Sequence, residues 1–145
     1  MKKKFSKSWS GSKQVRKQRK YRFNAPLHIS HRLMSASLSK ELRKKYQRRN
    51  FPLRKGDSVK VMRGSFKKKE GKIASIDLKK KRIMIEGIQR TKKDGSKISV
   101  FFDPSKVMIM SLVLEDKERL QAIEKKIKSN ERSIKAVQVQ KKHAS

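Results

Sequence analysis

The sequence contains no cysteine, which removes both a disulfide framework and a thiolate zinc site. No apolar run approaches the roughly 18 residues that cross a bilayer. The start, Met1-Lys2-Lys3-Lys4-Phe5-Ser6, is basic like that of a signal peptide, but no apolar stretch follows it. These absences predict an intracellular protein without membrane insertion. Acid is scarce too: 12 Asp or Glu stand against 43 Lys or Arg, a net charge of +31 over 145 residues. Solubility alone does not require such an excess, so a polyanionic partner is expected. Only 34% of the residues are hydrophobic and 6% aromatic, enough for one small core and not two.

The charge divides the chain. Residues 1–22 carry ten Lys or Arg and no acid. With almost no periodic apolar residues, the segment 1–24 reads as an extended basic tail, disordered until bound. Lys13, Arg16, Lys17, Arg19, Lys20 and Arg22 are its phosphate-neutralising candidates, while Phe5, Trp9, Tyr21 and Phe23 suit stacking on unpaired bases.

Residues 25–50 open on a turn at Asn24-Ala25-Pro26 and read as a short helical extension. Leu38 to Tyr46 is predicted helical, with Ser39 as N-cap, Glu41 in the first turn and Arg43 to Lys45 in the last. Leu38, Leu42 and Tyr46 make its apolar stripe, and Phe51-Pro52 ends it. Over 51–112 the apolar period changes to two. Val59-Val61, Ile73-Ile76-Leu78, Ile83-Ile85, Ile98-Val100-Phe102 and Val107-Ile109 predict five short strands. Asp94-Gly95 marks a hairpin. The expectation is a mainly β fold, a small closed antiparallel barrel with short flanking helices. Residues 113–145 return to helical spacing. Leu120, Ile123 and Ile127 form a stripe, and Glu115/Arg119 and Glu124/Lys128 are expected i,i+4 pairs. An interruption is expected at Ser129-Asn130 and a frayed end at Lys141-Lys142-His143-Ala144-Ser145. So short a helix must dock on the barrel or a partner.

The richest stretch is Lys55-Gly56-Asp57-Ser58-Val59-Lys60-Val61-Met62-Arg63-Gly64, continued by Ser65-Phe66-Lys67-Lys68-Lys69-Glu70-Gly71-Lys72-Ile73. It reads as a strand, a tight turn, a basic loop and a second strand. Gly56-Asp57 turns the chain into the first strand. Gly64 permits a positive φ, and Gly71 a bulge or a close backbone approach.

This arrangement resembles the KOW motif of SH3-like barrels in ribosomal proteins and transcription elongation factors. The flanks narrow the resemblance. Ala25-Pro26-Leu27-His28 and Leu38 to Tyr46 precede the barrel; Lys92-Lys93-Asp94-Gly95, Asp103-Pro104-Ser105-Lys106-Val107 and Leu114-Glu115-Asp116 follow it. In that order, over roughly residues 10–125, they resemble the large-subunit ribosomal protein family numbered twenty-four in universal and twenty-six in eukaryotic naming. Ser12-Lys13-Gln14, Arg48-Arg49-Asn50 and Ile76-Asp77-Leu78 are closer to its archaeal form. One departure stands out: the family usually has a further glycine where this chain has Lys68. Either the loop adopts another conformation or Lys68 accepts strained geometry.

The resemblance implies a structural constituent of the large subunit, located in the cytoplasm on the ribosome. It implies binding to the 5′ region of large-subunit rRNA early in assembly, near the polypeptide exit tunnel, beside neighbouring ribosomal proteins. By position it implies RNA contacts at Arg63, Ser65, Lys67, Lys68 and Lys69, and at Arg32, Lys40, Arg43 and Lys44.

Other chemistries find little support. His28 and His31 share a helical face, but no acid completes a metal site. Three histidines with scattered serines and acids lack the context of a hydrolase triad. Gly64 to Gly71 lacks the ending of a phosphate-binding loop. No enzyme, cofactor or small-molecule substrate is expected. Met34, Met62, Met84, Met108 and Met110 read as core gap-fillers. Lys79-Lys80-Lys81-Arg82 reads equally as a solvated hairpin tip and as an RNA contact. Two other functions remain: a KOW-type transcription elongation factor and a general nucleic-acid-compacting protein. The first normally carries an α/β domain before the motif, where about 50 residues stand here; the second needs no such barrel.

Overall fold

A computed structural model describes residues 5–125, 127 and 129. The five alternating stretches form strands: β3 (Ser58–Val61), β4 (Glu70–Asp77), β5 (Arg82–Thr91), β6 (Lys97–Phe102) and β7 (Val107–Ser111). Two short strands precede them, β1 (Ser35–Leu38) and β2 (Asn50–Pro52). Together they form one sheet in the order β2-β1-β7-β3-β4-β5-β6, a small mainly β fold with short helices around it.

The pairing departs from a closed antiparallel barrel in two ways. β1 runs parallel to β7, with Ser37 opposite Met108 and Leu38 opposite Ile109. The hydrogen-bonded order also has two ends, β2 and β6, rather than returning on itself. Both have physical causes. No hairpin joins β1 to β7, so their relative direction is unconstrained by a turn. Pro52 has no N–H to extend a ladder, which suits β2 to an edge.

The core lies between the sheet's inner faces. Leu38, Val59, Val61, Ile73, Ile83 and Ile109 are completely buried, each worth about 1.5–3 kcal/mol on the area scale. Phe66 meets Phe102 edge-on, ring centroids 5.9 Å apart, and closes one end. Gly71 stands where β4 passes from β3 to β5. A Cβ there would lie 2.7 Å from the Glu86 carbonyl oxygen and 2.7 Å from Ile85. The strand can turn that corner because it has no side chain at the contact. Of the five methionines expected inside, Met34 is buried, whereas Met62, just past the end of β3, and Met110, on the outward phase of β7, are exposed.

Two helices precede the sheet, α1 (Val15–Asn24) and α2 (Leu27–Leu33), and a third, α3 (Lys40–Tyr46), connects β1 to β2. In α3 the Ser39 hydroxyl accepts from the Leu42 amide at 3.3 Å and Tyr46 is buried, but the helix starts at Lys40, because Leu38, expected as its first residue, is the buried end of β1. Gln47 ends it in the left-handed region, φ 50°, so the stop comes before Phe51-Pro52, which are strand residues. The tail expected to be extended is instead a 3-10 turn, Lys7–Gly11, followed by α1.

A fourth helix, α4, covers residues 117–125 and docks Ile123 into the core. It begins beyond Glu115, so the expected Glu115/Arg119 pair is not made. Arg119 turns inward to Asp57. The Ser129-Asn130 interruption, the Glu124/Lys128 pair, Met1 to Lys4 and the Lys141 to Ser145 end involve positions outside the described residues.

Candidate nucleic-acid interface

The N-terminal cations ride on a folded hairpin of helix and turn. Gln18 is the clasp: its Nε2 donates to the carbonyls of Trp9, Ser10 and Ser12 at 2.8–3.0 Å. Phe5 and Tyr21 stack on each other with centroids 5.2 Å apart, so two of the four expected base-stacking aromatics are engaged internally. Phe23 stays 77% exposed. Lys13 in the connection and Arg16, Lys17, Arg19, Lys20 and Arg22 on α1 are all exposed.

The barrel holds this helix in place. Lys81 is buried at the β4–β5 turn, and its Nζ donates to the Arg22 carbonyl in the last turn of α1. A cation there satisfies an otherwise unpaired carbonyl and complements the helix dipole. Burial, and secondarily the Arg22 charge, lower the Lys81 pKa below the ordinary lysine value. The run read as tip or contact is therefore split: Lys79 and Lys80 face solvent, while Lys81 is a structural cap.

The β3–β4 loop is tightly closed. The Lys68 amide donates to the Val61 carbonyl and the Val61 amide to that of Lys69, both at 2.8 Å. Lys68 itself sits at φ 73°, so it takes up the left-handed geometry that a glycine would adopt freely, at about 1–2 kcal/mol. Gly64 precedes it at φ 93°. Lys67, Lys68 and Lys69 project from the tip, with the Lys69 ammonium 5.3 Å from the Phe66 centroid.

Arg63 and Ser65 lie elsewhere. They line a groove of about 280 Å³ together with Phe66, Arg90, Phe101 and Lys106. These four were not among the expected contacts. For Phe101 a signal was available: in Ile98-Val100-Phe102 the alternation leaves it on the outward phase, and a large aromatic facing solvent invites a partner.

The remaining candidates are dispersed. Arg32 is exposed in the last turn of α2, and Lys40 and Lys44 are exposed on α3. Arg43 is half committed to the fold, its Nε donating to the Leu38 carbonyl at 2.8 Å. His28 and His31 are exposed on α2. Gly56, at φ 87°, and Asp57 turn the chain into β3. Asp94 and Gly95, the latter at φ 81°, form the β5–β6 tip. There the Ser96 hydroxyl and amide hydrogen bonds hold the Asp94 carboxyl below its usual range.

Sequence reasoning missed the most buried charged pair. Asp57 is wholly buried; it receives Arg119 at 2.8 and 2.7 Å and the amides of Arg54 and Val113 at 2.9 and 3.0 Å. Arg119 also donates to the carbonyls of Val113 and Pro52. The pair joins the entry to β3 to α4, 62 residues apart, and its role is structural.

Comparison with known proteins places these features in a family. The family model for ribosomal proteins, described as L26 in eukaryotes and L24 in archaea, matches residues 12–126. The chain is 45% identical over 116 residues to the large ribosomal subunit protein uL24 of Methanosphaera stadtmanae, covering 80% of this chain and 99% of that one. It is 49% identical over 110 residues to the uL24 protein of Korarchaeum cryptofilum, covering 76% and 84% respectively. A match spanning α1, the barrel and α4 reaches well beyond the KOW loop, and the chain therefore belongs to the ribosomal protein family of eukaryotic L26 and archaeal L24, a structural and non-enzymatic family.

Proposed function

We propose that this protein is a structural constituent of the large ribosomal subunit that binds the 5′ region of large-subunit rRNA, near the polypeptide exit tunnel, and supports subunit assembly. One observation carries the reading. Lys7, Lys13, Arg16, Lys17, Arg19, Lys20 and Arg22 occur within residues 5–24 without a single acid, the last five on a helix tied to the barrel through Lys81. Such a helix repels itself, and a phosphate backbone relieves that repulsion.

The mechanism follows from charge and shape. Each neutralised phosphate releases counterions, so affinity falls steeply as salt rises. Side chains cannot read the deep major groove of A-form RNA, so selectivity comes from RNA shape, 2′-hydroxyls and unpaired bases. The barrel sets the spacing between the α1 cations, the Lys67–Lys69 loop and the α3 lysines. Phosphates at that spacing, from helices that would otherwise repel one another, are crosslinked in one arrangement. Neighbouring ribosomal proteins complete the surroundings in the cytoplasmic particle.

Filter binding tests the reading. The 5′ fragment of large-subunit rRNA is expected to bind more tightly than arbitrary RNA of equal length at moderate salt. Equal affinity would remove site-specific recognition. Sedimentation in a sucrose gradient provides the cellular arm. Migration with the large subunit after a high-salt wash supports the proposal, whereas recovery only with polymerase or DNA favours an elongation factor or a compacting protein.

A further inference from the structure

The groove beside the β3–β4 turn has a composition that phosphate neutralisation alone does not explain. Arg63 and Ser65 come from the turn, Arg90 from β5, Phe101 from β6 and Lys106 from the 3-10 turn Pro104–Lys106. Phe66 contributes to the lining and is braced edge-on by the buried Phe102. Phe101 is 43% exposed, with the Lys80 ammonium 5.9 Å from its centroid.

The charges are arranged unevenly. Asp103, the acid on this wall, is shared between Lys106 at 3.2 Å and Arg82 at 3.9 Å. Among the described residues no carboxylate pairs with the guanidinium of Arg63 or Arg90. The groove therefore presents an aromatic face beside two cations that lack an anion.

We infer that this groove binds one unpaired nucleotide of RNA, its base stacked on Phe101 and its flanking phosphates held by Arg63 and Arg90. The inference rests on the RNA-binding reading above and adds a site and a nucleotide conformation to it. An RNA duplex offers phosphates but hides its base faces, leaving Phe101 unused. A single base satisfies both chemistries, because every base has a π face and brings its own charge. An acidic peptide would satisfy the arginines and leave the ring without a matching flat partner. The small volume fits a single ring system and excludes a helix.

Fluorescence anisotropy with the full chain tests the site. The probes are a single-stranded oligouridylate and an abasic ribose-phosphate strand of equal length. Phe101→Ala is expected to weaken oligouridylate binding about tenfold and to leave abasic binding unchanged. Phe101→Tyr should retain the wild-type affinity, because it keeps the stacking face. Phe101→Leu, which keeps apolar bulk but no ring, should behave like the alanine variant and guards against a folding defect. Arg63→Ala and Arg90→Ala should weaken both strands and each lower the salt slope by about one. Unchanged oligouridylate binding by Phe101→Ala overturns the proposal. So does an equal loss on both strands, or competition by oligoglutamate as effective as that by oligouridylate. Loss of the wild-type preference for the 5′ rRNA fragment would instead count against the proposed function, leaving the stacking comparison intact.

Discussion

Among single residues, Asp57 and Arg119 carry the largest electrostatic stake in the fold. A buried pair of this kind adds little over an apolar replacement, but removing one partner strands the other charge. Arg119→Met is expected to lower stability by about 3–5 kcal/mol in urea unfolding. Asp57→Leu combined with Arg119→Met should recover only part of that loss, because the Arg54 and Val113 amides would still lack their acceptor. Full recovery would show that Asp57 serves Arg119 alone. The sequence did not reveal the pair. Asp57 followed Gly56 in a turn, and Arg119 stood four residues from Glu115, so both had adequate local explanations. The same limit governed Lys68. Its departure from the family pattern was plain, but only the backbone, with φ 73°, decided between a changed loop and a strained residue.

Among the elements, α1 is the part whose folding depends most on its neighbours. Lys, Arg and Gln are good helix formers, yet ten residues with cations at i,i+4 and no acid lie below the length that sustains a helix in water. Three attachments supply the difference: the Gln18 clasp, the Phe5–Tyr21 stack and the Lys81 cap. Lys81→Met keeps most of the aliphatic stem and removes the donor. It is expected to cut amide-exchange protection across α1 about tenfold, corresponding to about 1.4 kcal/mol. The amides of Val59 and Ile109 in the barrel should be unaffected. Unchanged α1 protection would mean that the cap is incidental. Composition predicted an extended tail here because self-repulsion is visible in a sequence, whereas a capping lysine 59 residues away is not. α3 was the opposite case, since Ser39, Glu41 and the Leu42-Tyr46 spacing are all local, although Leu38, read into the same stripe, belongs to β1.

For the whole molecule, the question is whether the charge and the core are separable. Neither the Lys7–Gly11 turn nor α1 contains a buried residue, and the barrel core includes none of their side chains. Deletion of residues 2–22 should therefore leave a barrel that unfolds cooperatively, with stability changed by less than about 1 kcal/mol. The same deletion removes ten of the 43 cations. Subunit assembly should be impaired, and the salt dependence of rRNA binding should become shallower by about one unit for each phosphate left unneutralised. Normal assembly by the deleted protein would reduce α1 to bulk electrostatics. An unfolded product would show that the clasp supports the core.

Local pattern was enough for the strands β3–β7, the α3 helix, the hairpin at Asp94-Gly95 and the overall partner chemistry. Each depends on near neighbours or on a sum over residues. Alternation over four to six residues records which face is buried, and +31 needs no geometry to be read. β1 and β2 escaped because Ser35, Ser37 and Pro52 dilute their alternation, and their places come from pairing with distant strands. The division of the cations between fold and ligand, by contrast, exists only in three dimensions. Lys81 and Arg119 are buried and committed, and Arg43 is partly so, while Arg63 and Arg90 come together unpaired beside Phe101. Cationic side chains look alike in a sequence, and only the distance to a carbonyl, a carboxylate or an open groove separates their roles.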